Sequence, residues 1–137
     1  MKESYKHTEI TEKIIKAFYT VYNKLGYGFL EKVYENSMMI ELMKLGLSVK
    51  KQTPIKVFYE DQVVGNYFAD LVVEELVIVE LKAEGGLIEE HEAQLTNYLR
   101  AIEVEVGLLL SFGKTAQLKR KVFSNEYKTF FNKGERS

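Results

Sequence analysis

The chain of 137 residues is 46% hydrophobic and 28% charged, enough for one domain with its own core, and its net charge of −1 argues against indiscriminate nucleic-acid binding. It has no cysteine and only His7 and His91 as histidines, which excludes disulfides, thiolate nucleophiles and cysteine-type zinc sites. No apolar run reaches the length of a membrane span and Met1-Lys2-Glu3-Ser4-Tyr5 is too polar for a signal peptide, so the expectation is a single cytoplasmic domain, 1–137, with no membrane contact.

Thr8 to Lys24 reads as a helix, because Ile10, Ile14, Ala17, Phe18, Val21 and Leu25 recur at three- and four-residue steps. Gly26-Tyr27-Gly28 stops it, and a second helix runs from about Phe29 to Leu45, ending at Gly46. The two glycines are not a phosphate loop, since they follow a helix and lack both the third glycine and the lysine. In the second helix Glu31 and Glu35 are one turn apart with Tyr34 between them. Glu31 also lies in the first turn, where the helix dipole favours a carboxylate without any further role.

From Val49 the period changes to two: Val49, Ile55, Val57 and Tyr59 are expected to share a face, with Pro54 marking an edge or a bulge. Glu60-Asp61-Gln62 reads as a hairpin turn into a strand from Val63 to Glu74. Strict alternation there puts Phe68, Asp70 and Val72 on one face and Tyr67, Ala69, Leu71 and Val73 on the other. Glu74-Glu75 then turns into Leu76 to Lys82, a β-branched-rich run that reads as a strand buried on both faces. Glu80 and Lys82 leave its carboxyl end from one face, about 6–7 Å apart, and the preceding turn brings Asp70 alongside Glu80. Charges in such a place are paired, metal-bound or open to a cleft, since an isolated buried charge costs several kcal/mol.

After Gly85-Gly86 a third helix spans roughly Ile88 to Ile102, with Leu95, Leu99 and Ile102 on its apolar face and Gln94 and Tyr98 one turn apart beside it. A glutamine there needs a partner if buried and none if it sits at the solvent boundary. Glu105 to Gly113 reads as a central strand, joined to the Glu80 strand by a parallel crossover, and Leu118 to Ser124 as a last strand. From Lys114 onward the cations Lys114, Lys119, Arg120, Lys121, Lys128, Lys133 and Arg136 outnumber Glu126 and Glu135, which on charge alone reads as a solvated tail. Asn132 to Ser137 is expected to be frayed. The order is α-α-β-β-β-α-β-β: a mixed α/β sheet with helices packed on its faces.

The charged set has a definite chemistry. Asp70 and Glu80 are hard oxygen donors suited to Mg²⁺ or Mn²⁺; the Leu81 carbonyl, water and a substrate phosphate could complete an octahedron, and Glu31 could join from the second helix. Lys82 beside them could stabilise charge developing on a phosphate or orient the attacking water.

Asp70 followed by Glu80-Leu81-Lys82 resembles the signature of the PD-(D/E)xK nuclease superfamily, whose core is the restriction-endonuclease-like fold. Gly28-Phe29-Leu30-Glu31-Lys32-Val33-Tyr34 resembles the motif of its GxxExxY branch, and Gln94-Leu95-Thr96-Asn97-Tyr98 resembles the QxxxY motif of RecB-type nucleases. Ala69 stands where the superfamily name has proline. The resemblance, over about Ile10 to Lys121, implies metal binding by Asp70 and Glu80 with help from Glu31, and catalysis by Lys82. It also implies supporting or DNA-contacting roles for Gln94 and Tyr98. Tyr34, Tyr98, Lys119, Arg120 and Lys121 are the candidate substrate contacts. The expected activity is metal-dependent hydrolysis of phosphodiesters, in DNA rather than RNA, by a chain that a two-fold homodimer would suit. The alternatives are a nuclease-like fold that binds nucleic acid or protein through Lys119, Arg120 and Lys121 without turnover, and a purely structural ion network of Asp70, Glu80 and Lys82.

Overall fold

In the computed structural model, which describes residues 6–128, helix α1 spans Thr8–Leu25 and buries Ile14, Ala17, Phe18 and Val21 along one side. It ends at Gly26, whose φ of 69° is open to a residue without a Cβ and whose N–H donates to the Tyr22 carbonyl at 2.8 Å. Helix α2 (Glu31–Lys44) starts two residues later than the periodicity predicts, so that Phe29 and Leu30 lie exposed just before it. Tyr34, Met38 and Leu42 recur every four residues and form its buried stripe.

Strands β1 (Val49–Tyr59) and β2 (Gln62–Val73) form a long antiparallel hairpin closed by Glu60 and Asp61, both with left-handed φ. Strand β3 (Val77–Lys82) follows, then helix α3 (Glu89–Ala101) and strands β4 (Val106–Phe112) and β5 (Ala116–Val122). The five-stranded sheet has the order β1-β2-β3-β4-β5, with β3 and β4 parallel and the other neighbours antiparallel. The parallel pair needs a crossover, which α3 supplies, and Pro54 is accommodated because β1 is an edge strand.

The sheet is covered on both faces, which is why β3 and β4 read as continuous apolar runs. On one face α1 and α2 pack against Leu71, Val73, Val77, Val79, Leu108 and Leu110. On the other, Leu95, Tyr98 and Leu99 of α3 pack against Ile55, Val72, Ile78 and Leu109. No helix among the described residues is long and apolar enough to cross a membrane. The expectations for Met1 to Tyr5 and for Asn132 to Ser137 fall outside the described residues.

The strict alternation predicted for the hairpin fails at one point. Ala69 packs on the α3 side and Leu71 on the α1–α2 side, and in β1 Val49 packs on the α1–α2 side while Ile55 is on the α3 side. In β1 the exchange falls at Gln52, which has φ 48° and is missing from the ladder opposite Asp70, the residue of β2 between Ala69 and Leu71. A single left-handed residue exchanges the faces of the strand on either side of it, so neither predicted face is continuous. Beyond this point the hairpin leaves the sheet, because β3 pairs with β2 only from Leu71 to Val73. The remainder is a two-stranded arm that exposes Tyr59, Val63, Val64, Tyr67 and Phe68.

The basic end of the chain is not simply a solvated tail. Lys128 is fully buried, and its Nζ donates to the carbonyls of Ile102 and Val104 at 2.7 and 2.8 Å, fastening the segment after β5 to the loop after α3. Burial lowers its pKa to about 8.

Helix α3 is seated on Gly107 of β4. A Cβ added there would meet Leu95 Cδ1 at 2.7 Å, and Leu95 is buried, with little room to give. Gly107→Ala is therefore expected to destabilise the fold by about 1–3 kcal/mol, measured by denaturant unfolding. An unchanged midpoint would place α3 elsewhere.

Candidate active site

The backbone ladder between β2 and β3 ends at the pair Leu71–Val79. The next residues in register, Asp70 and Glu80, stand opposite each other where the strands fork. Side chains there take over the cross-strand bonding. The Asp70 N–H donates to Glu80 Oε2 at 3.1 Å, and the Leu81 N–H donates to Asp70 Oδ2 at 2.8 Å. Each carboxylate thereby has one oxygen fixed by the opposite strand, which locks both side chains without a loop to hold them.

Helix α2 brings further carboxylates to the fork. Glu31, its first residue, faces Asp70, Lys82 and the Ala83 amide. Glu35, one turn on, is buried and accepts a hydrogen bond from Gln52 Nε2 at 3.0 Å, while Gln52 also bonds Asp70. Glu35 and Gln52 are therefore parts of the site that the sequence reading did not include. The helical spacing from Glu31 was a signal for Glu35; nothing in the sequence marked Gln52, whose reach depends on its left-handed backbone.

The electrostatics follow from this crowding. Burial, then the Asp70 charge, pushes the Glu80 carboxyl up to about 8; the Asp70 amide and Lys82 act in the other direction. Asp70 is raised, first by burial and then by Glu35, against the opposing Leu81 amide and Gln52. Glu31 at the rim is raised by desolvation and by Asp70. The Asp70 charge is the largest cause after burial of the raised Glu80 pKa, so a negative charge on one disfavours a negative charge on the other. Tyr98 lies close enough to feel both charges, and burial with those charges pushes its phenol up to about 12, so it remains a neutral donor. Lys82 is half-buried and forms no salt bridge among the described residues, so it acts on the carboxylates through its field alone.

Of the residues singled out in the sequence, Glu31, Asp70, Glu80 and Lys82 come together. The Leu81 side chain is in the core, which leaves its main chain at the fork. Gln94 is exposed and bonded to none of the carboxylates; it lines a cleft of about 530 Å³ beside Tyr98. Tyr34, one of the candidate substrate contacts, lies in the core. It is fully buried, its ring stacks on Phe112 at 4.2 Å, and its hydroxyl donates to the Gly26 carbonyl at 2.7 Å and accepts the Phe29 N–H at 3.2 Å. Lys119, Arg120 and Lys121 do not form one basic patch either, because consecutive strand residues alternate faces. Arg120 lies on the α1 face and donates to the Lys6 carbonyl, whereas Lys121 lies on the α3 face, 2.7 Å from Glu92.

The donor set has the chemistry of a hard divalent cation: carboxylate oxygens held close in a poorly solvated fork, with too little positive charge to balance them. No three His, Asp or Glu side chains among the described residues form a ready-made metal cage.

A family model described as the PD-(D/E)XK nuclease superfamily matches residues 8–123. No curated protein and no solved structure matches the chain significantly.

Because the Glu80 carboxyl titrates near 4.5 in the unfolded chain and near 8 in the fold, folding takes up a proton in between. The stabilisation is complete below about 4.5 and is lost as pH rises through about 8, and the raised Asp70 and Glu31 add to it with the same sign. The metal-free protein should thus lose a few kcal/mol of stability between about pH 5 and 8, at up to about 1.4 kcal/mol per pH unit and proton. Thermal melts in EDTA check this: the decline should be much shallower in Glu80→Gln, and Mn²⁺ at pH 8 should restore the wild type.

Proposed function

We propose, from the premise that the chain belongs to the PD-(D/E)XK nuclease superfamily, that it is a divalent-metal-dependent nuclease hydrolysing phosphodiester bonds, with DNA the favoured substrate. The observation that carries this reading is the β2–β3 fork, where Asp70 and Glu80 fix each other's strand and Lys82 follows on the same strand. Gly28, Glu31 and Tyr34 support the narrower GxxExxY assignment.

Asp70 and Glu80 would hold Mg²⁺ or Mn²⁺, with Glu31 and the Leu81 carbonyl as further donors. The cation, when bound, supplies charge neutralisation on the phosphate and lowers the pKa of water to a range useful at neutral pH. Lys82 presents its ammonium where negative charge builds on the phosphoryl oxygens, and its donors can orient the water that attacks in line. Tyr98, kept neutral, offers a hydroxyl donor on the α3 side of the fork. Gln94 lies further out on the same helix and is assigned a supporting role in placing the strand.

A binding module without turnover is the less favoured reading. Its surface was the run Lys119-Arg120-Lys121, and that run is divided between the two faces of the sheet, with Lys121 neutralised by Glu92.

Asp70→Asn retains an acceptor for the Leu81 N–H but removes a charge from the fork. It should lower Mn²⁺-dependent cleavage of oligonucleotides by at least about a hundredfold, weaken Mn²⁺ binding in calorimetry and leave the melting temperature unchanged or higher. Lys82→Ala should lose cleavage to a similar degree while still binding Mn²⁺. A Lys82→Ala protein that cuts like the wild type would remove the assigned chemistry.

A further inference from the structure

The cleft between α3 and the β1–β2 arm shares Tyr98 with the fork, but its chemistry is different. It encloses about 530 Å³, a size usual for small-ligand sites. Val57 and Val64 contribute apolar surface, Tyr67 lies 45% exposed with its ring 5.5 Å from that of Tyr98, and Gln94 and Asn97 present amides from one side of α3. Its charged members are one anion, Glu90, and one cation, Arg100, whose guanidinium donates to Asn97 Oδ1 at 3.4 Å and leaves the Asn97 N–H₂ as a donor. A phosphate would find no cationic set here, whereas a neutral, flat ring with hydrogen-bonding edges finds an aromatic face and amides.

Gly65 precedes Tyr67 by two residues on the same strand, and the Tyr67 ring lies over it, 3.1 Å from where a Cβ would stand. A side chain at residue 65 would press on the ring, so the glycine leaves room for the position in which Tyr67 faces Tyr98.

We infer that this cleft receives one unpaired base of the nucleic acid whose phosphodiester lies at the fork, an inference that rests on the nuclease reading above. A base inside a duplex has both faces stacked and its pairing edge occupied. Only an unpaired one can offer a face to Tyr67 and an edge to Gln94 and Asn97. The substrate class is therefore nucleic acid with a single-stranded segment, bulge or gap beside the cleaved bond.

The test measures fluorescence anisotropy in a Lys82→Ala background with Mn²⁺, using a single strand, a duplex with one unpaired nucleotide and a fully paired duplex. The first two should bind at least about tenfold more tightly than the third. Tyr67→Leu should weaken them at least about fivefold while sparing the paired duplex. Asn97→Ala, at an exposed position, should reduce the same preference. 2-Aminopurine at the unpaired position should be quenched on binding, and less so with Tyr67→Leu. Equal binding of all the oligonucleotides, or a preference that survives both substitutions, overturns the cleft as a base site. If the wild type cleaves paired duplex without preference, only the cleft assignment falls; if it neither binds nor cleaves any oligonucleotide, the nuclease reading falls with it.

Discussion

Where β2 and β3 separate, the amides of Asp70 and Leu81 are taken by carboxylates instead of carbonyls, each reaching across to the other strand. The rest of the site depends on this exchange. A fork in a sheet would otherwise leave buried N–H groups unmet, at roughly 1–3 kcal/mol each. Satisfying them with Asp70 and Glu80 lets the strands diverge and forces acidic groups into a poorly solvated place. The same bonds that close the backbone account also create the charge imbalance. Structural need and chemical potential are therefore carried by the same atoms, and neither carboxylate can be judged by its contribution to stability alone.

The helical side of the fork is set by packing at a distance from it. Tyr34 stacks on Phe112, the last residue of β4, and its hydroxyl ties down both Gly26 and Phe29. This fixes where α2 begins and hence where Glu31 stands. Glu31 and Tyr34 are three residues apart, so one helical face carries an anchor in the core and a carboxylate at the rim. Glu35 reaches Asp70 through Gln52, which joins the helix to the edge of the hairpin just where its faces exchange. A motif containing Glu31 and Tyr34 is thus as much about placing a helix as about chemistry.

The central part of the site was legible because it obeys local rules. Asp70, Glu80 and Lys82 sit on consecutive apolar strands joined by a short turn, and register follows from that turn. What escaped the sequence depends on departures from the period. Gln52 looks like any polar strand residue, yet its left-handed backbone marks where the faces of β1 exchange, opposite the point in β2 where Ala69 and Leu71 part. Lys119, Arg120 and Lys121 look like a cluster in one dimension and are split by the alternation of β5 in three. Tyr67 gave no signal, since an exposed aromatic on a strand is ordinary until a second one, Tyr98, arrives from a helix far along the chain.

The placement of charge also bears on how such a site would choose its substrate. Glu31, Glu35, Asp70 and Glu80 surround a single lysine, so the metal-free fork repels a polyanion rather than attracting it. The basic residues of β5 do little to offset this, being divided between faces and in part neutralised. On the proposed reading, affinity for a phosphodiester at the fork is conditional on the cation. The remaining contacts must come from groups that need no charge, and those on the same side as Tyr98 are amides and an aromatic ring. A near-neutral chain of this kind does not accumulate on nucleic acid through its overall field. On the proposed reading, recognition would depend on a cation and a correctly presented base at neighbouring points, which would make it local and leave long paired stretches with little to offer.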